Sequence, residues 1–238
     1  MKKKKDNLKD FLQIKNQTET SADLYFYGDI VSSYWGAWDD TDQYPESVKN
    51  FLDEVKGKDL NIYISSAGGS VFAGMAIYNM LKRHAGFKTV YVDAVAASIS
   101  SVIALAGDKV IIPSNAFFMI HKPWVEVQGN SITLREQADV LDKIEEGILN
   151  VYSENLKEGV DIETIKELVN AETWLTGLDA SKYFDIEVSD SIDAVASTSE
   201  YLNKFTDIPK DLKVKNVVDK EIENNNEIEK LLLELDLM

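Results

Sequence analysis

Short apolar runs and amphipathic segments alternate along most of this chain. The apolar runs are rich in β-branched and aromatic residues and predict strands, at residues 23–31, 60–65, 88–95, 109–113 and 116–121. Segments whose apolar residues recur every three or four positions predict helices, at residues 46–57, 71–86, 98–107, 131–157 and 162–170. A short helix, capped by Thr176 and Asp179, and a last strand follow. This alternation predicts an α/β fold with mainly parallel strands and right-handed crossovers.

The predicted helix at residues 131–157 is the longest of these elements. Its apolar positions recur in steps of three and four from Leu134 to Tyr152. One protomer has no obvious partner for such a stripe along its whole length, so we expect the helix to pack against another copy of the chain. Leu141 and Ile148 are the positions we expect at that contact.

The composition changes on both sides of the alternating region. Residues 1–21 are polar and include a run of four lysines, which is either a solvated end or a basic docking arm. Residues 191–238 contain no glycine and are acidic, and they are either a solvated tail or a docking segment with a short helix at 227–238. We therefore divide the chain into an N-terminal segment (1–21), a central domain (22–190) and a C-terminal appendage (191–238).

Charge and composition narrow the classes of function. The formal net charge is −16, which argues against binding to nucleic acid or to anionic membranes. The chain has no cysteine, so disulfides and thiolate catalysis are excluded. It has only two histidines, which argues against a zinc site. It has neither a secretory signal pattern nor an apolar run of membrane-spanning length. We expect a cytoplasmic protein that needs no metal or cofactor.

Serine-dependent acyl transfer requires a nucleophile, a base, an orienting carboxylate and donors for the oxyanion. Ser98 is the candidate nucleophile, because it lies where a predicted strand meets a predicted helix and the helix start exposes free N–H groups. The N–H of Ile99 is one such donor. The alternative is that Ser98 only caps the helix, and Ser100 and Ser101 are rivals on the same turn.

Two histidines are available as the base. His121 ends an apolar strand and stands just before Pro123, so it can face a cleft, although a structural role is the alternative. His84 lies in the last turn of a predicted helix, where a histidine stabilises the helix dipole, and we expect it to be structural.

The turn "SAGGS" precedes both candidates and contains Gly68, Gly69 and Ser70. Glycine allows a ligand to approach the main chain closely, so the N–H of Gly69 is a second candidate oxyanion donor. Gly68 and Ser70 are candidate substrate-binding residues. An ordinary strand-to-helix turn has the same composition. Glu172 is a candidate for the orienting carboxylate, but composition alone does not select it from 41 acidic residues.

Three stretches resemble motifs of one family. "GGSVFAGMAIYNML" resembles the glycine turn and helix of the Clp protease proteolytic subunit (ClpP) family, "VAASISS" its G-x-A-A-S-M-G motif, and "FFMIHKP" its M-I-H-x-P motif. The likeness covers residues 22–190 and is strongest to phage-type relatives that act in head maturation. It implies a ClpP/crotonase-like fold with a parallel-stranded sheet, crossover helices and a protruding handle helix.

The resemblance also implies roles for single residues. It makes Ser98 the nucleophile, His121 the base, and the N–H groups of Gly69 and Ile99 the oxyanion hole. The family segment D-N-F-M-S matches "ETWLT", which puts Glu172 at the position of the triad aspartate. Other departures from the family are small in volume; they are Ala67 for proline, and Ala94 and Ser100 for glycine.

We therefore expect a serine endopeptidase that works in a homo-oligomeric ring, of the phage type that acts on capsid or scaffold proteins. One alternative is a cellular Clp subunit that an unfoldase feeds with substrate. A second is a non-catalytic assembly protein on the same fold. A third is a crotonase-type acyl-coenzyme A enzyme, and the ordered Ser98 and His121 motifs argue against it.

Overall fold

The computed structural model describes residues 17–39 and 41–191, together with residues 202, 204–206, 208–209 and 212. Its strands are β1 (Ser21–Phe26), β2 (Asp59–Ser66), β3 (Lys88–Ala97), β4 (Lys109–Pro113), β5 (Phe117–Ile120), β6 (Thr173–Thr176) and β7 (Glu187–Ser189). Its helices are α1 (Pro45–Glu54), α2 (Val71–Arg83), α3 (Ile99–Ala104), α4 (Ser131–Glu154), α5 (Ile162–Asn170) and α6 (Gly177–Tyr183). The lysine run and the predicted helix at 227–238 lie outside the described residues.

The strands form one mixed sheet in which β3 is central. The order β1-β2-β3-β4-β7 is parallel throughout. The first half of β3 pairs with β4, and its last three residues pair with β5, which is also parallel to it. Antiparallel β6 then pairs with the far side of β5. This mixed, mostly parallel sheet with its helices confirms the predicted α/β class.

Most predicted elements are present; several helices end earlier than predicted, whereas β2 and β3 are longer. β1 stops at Phe26, and Ile30 instead forms an isolated bridge to Gly69. β6 is absent from the sequence-based prediction, because four residues between two helices carry no clear alternation. Its pairing with β5 is a tertiary interaction that a local pattern does not reveal.

The main core lies on one face of the sheet. Leu24, Ile62, Val90 and Val110 are adjacent in register on four neighbouring strands, and all are buried. On the opposite face, Tyr25, Tyr63 and Tyr91 occupy the next row, with ring centroids 4.8 and 5.2 Å apart. The alternation of apolar and tyrosine rows explains why these strands read clearly from sequence.

The long helix α4 is buried at only one end. Ile148, Val151 and Tyr152 near its C-terminus pack into the core, whereas Ile132, Leu134 and Val140 near its N-terminus are exposed. Ile148 is therefore a core residue of the protomer and not the intersubunit contact that the sequence suggested. The exposed apolar residues lie on the N-terminal half, where the prediction of a contact with a second copy still applies.

Charged substitutions at these two ends of α4 should have different effects. We expect Leu134→Glu to leave the thermal midpoint of the protomer nearly unchanged and to reduce the particle mass in sedimentation, because Leu134 is exposed. Ile148→Glu should instead destabilise the protomer by several kcal/mol, because it buries an unpaired charge. A sedimentation profile unaffected by Leu134→Glu, with a normal mass, would count against a contact at this surface.

Candidate active site

Three strand ends meet at one edge of the sheet. Gly68 and Gly69 follow β2, Ser98 follows β3, and His121 follows β5. Because these strands are parallel neighbours, their carboxyl ends lie side by side. Ligands of open α/β sheets bind outside the carboxyl ends of strands, so this edge is the place expected for a site.

Ser98 has a strained backbone. Its φ is 56° and its ψ −129°, and α3 begins at the next residue. Its side chain forms no capping hydrogen bond, so the alternative of a simple N-cap is wrong in this structure. A non-glycine residue in such a conformation costs on the order of 1–3 kcal/mol and needs surrounding contacts to hold it. A sharp strained turn of this kind exposes the serine side chain between a strand and a helix.

Neighbouring groups hold this turn in place. The Ser98 N–H donates to the carbonyl of Met119 at 3.0 Å, and the Ser98 carbonyl accepts from the Ser101 hydroxyl at 2.5 Å. The buried Ser100 hydroxyl donates to the carbonyls of Ser66 and Ala97 at 2.8 and 2.7 Å. Ser100 and Ser101 therefore point away from the cleft as supporting groups. Ser100 stands where the family has glycine, and the hydrogen bonds of its hydroxyl allow the polar group to be buried there.

His121 lies directly beside Ser98. The distance from His121 Nε2 to Ser98 Oγ is 2.8 Å, which is a hydrogen bond. The imidazole is buried, and burial lowers its pKa below the ordinary value of 6.5 while the Glu172 carboxylate acts in the opposite direction. His121 is thus held neutral near pH 7, the form that accepts a proton. His84 instead caps α2 and contacts the Lys58 carbonyl at 2.7 Å, as a structural histidine would.

The glycine turn approaches Ser98 closely. Gly68 has a φ of 97°, and a Cβ added there would lie 2.7 Å from the Ala97 carbonyl oxygen and 2.8 Å from the Ser98 Cβ. Gly68 lies behind Ser98, whereas Gly69 and Ser70 line the cleft in front of it. Within residues 41–191, neither the Gly69 N–H nor the Ile99 N–H donates a hydrogen bond to a protein group. Both predicted oxyanion donors are therefore available.

A cleft of about 470 Å³ opens over the Ser98–His121 pair. One wall is the turn at Gly69 and Ser70, together with the start of α2. The other walls are largely apolar and come from the loop after His121, from α4 and from the C-terminal appendage; they include Trp124, Val140, Leu141 and Phe205. We call this space the Ser98 cleft. An ion pair of 2.9 Å between Lys122 and Glu145 fixes the loop after His121 against α4.

Glu172 lies near His121 without bonding to it. Its φ is 50°, and Ser98 and Glu172 are the two non-glycine residues with positive φ in the described part of the chain. Backbone strain of this kind concentrates at functional sites. Among the described residues, the Glu172 carboxylate accepts hydrogen bonds from the N–H and the hydroxyl of Thr206, not from His121. Glu172, Asn170 and His121 line one common cavity.

The site also contains residues that the sequence analysis did not identify. Phe205 packs edge-to-face on the His121 ring, with centroids 5.1 Å apart, and Lys204 and Thr206 flank it. A signal for them exists, because Leu202, Phe205, Ile208 and Leu212 recur every three or four residues within an otherwise acidic stretch. The acidic composition of the appendage instead favours a solvated tail or docking segment, so the sequence analysis did not assign these residues to the site.

Comparison with known proteins agrees with this geometry. The sequence model of the Clp protease family matches residues 47–186. The chain belongs to the Clp protease family. It is 36% identical over 138 residues to the ATP-dependent Clp protease proteolytic subunit of Ligilactobacillus salivarius, covering 56% of this chain and 68% of that protein. The corresponding subunit of Bacteroides fragilis is 29% identical over 137 residues, covering 56% of this chain and 65% of that protein.

Family membership confirms the resemblance drawn from the three motifs. The chain spans just under two thirds of the length of the Bacteroides fragilis Clp subunit and just over two thirds of the Ligilactobacillus salivarius one. The family match includes Ser98, His121 and Glu172 and stops before the C-terminal appendage.

The described residues lack two features, a metal-binding cluster and a membrane-spanning helix. No group of three or more histidine, aspartate or glutamate side chains lies close enough together there to hold a metal ion. No helix in the same residues is long and apolar enough to cross a membrane.

The lowered pKa of His121 predicts a pH profile. A general base must be deprotonated, so kcat/KM should rise with pH through the His121 pKa and level off above it. Since burial lowers that pKa, the midpoint of this acid limb should fall below 6.5. Steady-state hydrolysis of a fluorogenic peptide between pH 4.5 and 8 measures it. A midpoint above 7, or a flat profile, would contradict a buried histidine base.

Exchanging Glu172 for glutamine tests the third member of the triad. The amide keeps the shape but removes the charge that stabilises the imidazolium of His121, so kcat should fall by up to roughly 10⁴-fold. Asn170→Ala, in the same cavity, is the control and should keep most of the activity. Near-normal turnover of Glu172→Gln, with the loss in Asn170→Ala, would instead assign the orienting role to Asn170.

Proposed function

We propose that this protein is a serine endopeptidase that hydrolyses peptide bonds. The observation that carries the proposal is the 2.8 Å hydrogen bond from Ser98 Oγ to His121 Nε2. Beside it lie the N–H groups of Gly69 and Ile99, which have no hydrogen-bond acceptor among the described residues. Nucleophile, base and oxyanion donors are thus adjacent at the edge of one cleft. The names of the relatives, which describe proteolytic subunits of Clp proteases, support the same chemistry.

The chemistry follows from these positions. Ser98 Oγ attacks the carbonyl carbon of the scissile bond while His121 Nε2 takes its proton. The negative charge that develops on the carbonyl oxygen accepts hydrogen bonds from Gly69 and Ile99. His121 then gives the proton to the leaving amine, and the C–N bond breaks to leave an ester on Ser98. Water, activated by His121, hydrolyses that ester and restores the free hydroxyl.

The walls of the Ser98 cleft favour an apolar substrate side chain. Trp124, Val140, Leu141 and Phe205 give it a mainly hydrophobic lining. An apolar side chain that leaves water for such a pocket contributes about 0.8 kcal/mol per buried CH₂ group. We infer a preference for apolar residues next to the cleaved bond.

For the biological setting, we favour the phage type that acts on capsid or scaffold proteins. Its support is the idiosyncratic segments on both sides of the family match, together with the likeness of the three motifs to phage-type relatives. The alternative is an ATP-dependent system with an unfoldase, which the relatives' names describe for those proteins. The exposed apolar residues at the start of α4 support a homo-oligomer in both settings.

A fluorophosphonate probe tests the enzymatic proposal directly. We expect the probe to label the wild-type protein and not Ser98→Ala, which keeps the backbone and the small volume. His121→Ala should lose nearly as much turnover, because triad members act as a unit. His84→Ala is the matched histidine control and should keep most of the activity. Unlabelled wild-type protein in a folded oligomer would favour the non-catalytic assembly role.

The two settings differ in their need for ATP. Cleavage of a folded capsid or scaffold protein at a few sites without ATP would support the phage type. A requirement for ATP and an unfoldase, with complete degradation of the substrate, would favour the cellular type.

A further inference from the structure

Part of the C-terminal appendage packs against the candidate active site. Leu202, Phe205 and Leu212 are buried, although they lie beyond residue 186, where the family match ends. They form a small apolar cluster with residues from the strand ends that carry the site, namely Ala67, Val95, Ala97 and Met119. The appendage is therefore attached to the same strand ends that position Ser98 and His121.

Thr206 contacts the segment around Glu172 through three polar groups. Its N–H and its hydroxyl both donate to Glu172 Oε1, the hydroxyl at 2.8 Å. Its carbonyl accepts a hydrogen bond of 3.2 Å from the indole N–H of Trp174. One carboxylate oxygen is thus held by two donors from a residue 34 positions away in sequence.

Phe205 fixes the other side of the same region. Its ring packs edge-to-face on His121 at 5.1 Å and on Trp174 at 5.9 Å between centroids. It also forms part of the wall of the Ser98 cleft, which stays open above Ser98. The described residues of the appendage therefore border the cleft and do not fill it.

We propose that Thr206 is a positioning residue of the active site, which holds the Glu172 carboxylate at a fixed distance from His121 while Phe205 packs against the imidazole. This proposal rests on the proposed peptidase function.

A glutamate at position 172 needs contacts that restrain its carboxylate. It has one more rotatable bond than the family's aspartate, so its carboxylate occupies more positions when unrestrained. A catalytic group contributes fully only when neighbouring contacts fix its geometry. Thr206 supplies those contacts from a segment outside the family match. A relative with the shorter aspartate has less need of such a contact.

The charges around His121 make the effect measurable. Glu172 is the carboxylate that raises the pKa of His121 against the stronger effect of burial. Lys122 is paired with Glu145 on α4, Glu126 lines the cleft, and Lys204 lies over the Trp124 ring at 5.1 Å. A loosened Glu172 spends less time near His121, so the pKa of His121 should fall.

The test compares Thr206→Val with Thr206→Ser in the full chain, and Thr164→Val on α5 is the matched control. We expect Thr206→Val to lower kcat/KM roughly fivefold, the effect of one lost hydrogen bond of ordinary net strength. Its acid limb should also move to lower pH. Thr206→Ser keeps the hydroxyl and should keep both kcat/KM and the acid limb near their wild-type values. The Thr164→Val control should also match wild type.

A second variant tests the same contact if Thr206→Val does not fold. Trp174→Phe removes the hydrogen bond to the Thr206 carbonyl, so it should also move the acid limb to lower pH.

Three outcomes would overturn the proposal. Unchanged kinetics in Thr206→Val would mean that the hydroxyl does not position Glu172. A faster enzyme with its acid limb at higher pH would mean that Thr206 restrains Glu172 away from His121. Lower activity with the limb at higher pH would mean that the appendage only shields His121 from water. Fluorophosphonate labelling of wild type separates these outcomes from failure of the peptidase proposal, which would leave wild type itself unlabelled.

Discussion

The hydrogen bond from the Ser98 N–H to the Met119 carbonyl extends the β3–β5 pairing by one residue, and the site depends on it. It fixes the relative register of the two strands at the point where both end. Ser98 then leaves β3 in a strained turn, and His121 follows two residues after Met119 on the neighbouring strand. Because the strands are parallel, one register sets the distance between the two reacting side chains. A shift of β5 by one residue against β3 would turn the β5 side chains to the other face and would separate His121 from Ser98.

Much of the fold could be predicted because the protein separates its apolar and polar positions clearly. α5 has the predicted bounds, and β4 matches its apolar run. Two kinds of feature could not be predicted from local pattern. β6 becomes a strand only through its partner β5, and the end of β1 depends on the bridge from Ile30 to Gly69. Both are fixed by contacts between segments that are distant in sequence.

The candidate site shows the same division. Ser98, His121 and the glycine turn could be predicted because each lies at a junction with a readable sequence pattern. The identification of Glu172 needed the family, since one carboxylate among many carries no signal of its own. The left-handed backbone of Glu172 is the independent structural observation that marks it. Phe205 and Thr206 were missed because their contacts are made across the molecule, within a stretch whose composition resembles a solvated tail.

The position of Thr206 after the central domain has a consequence for synthesis. Domains generally fold as units during synthesis, and the N-terminal ones fold first. A nascent chain that ends near residue 190 already contains the residues of β3 and β5, and so the Ser98–His121 pair. It lacks the two donors that hold the Glu172 carboxylate. Because Thr206 is translated after the central domain, these contacts form after the sheet edge that they complete.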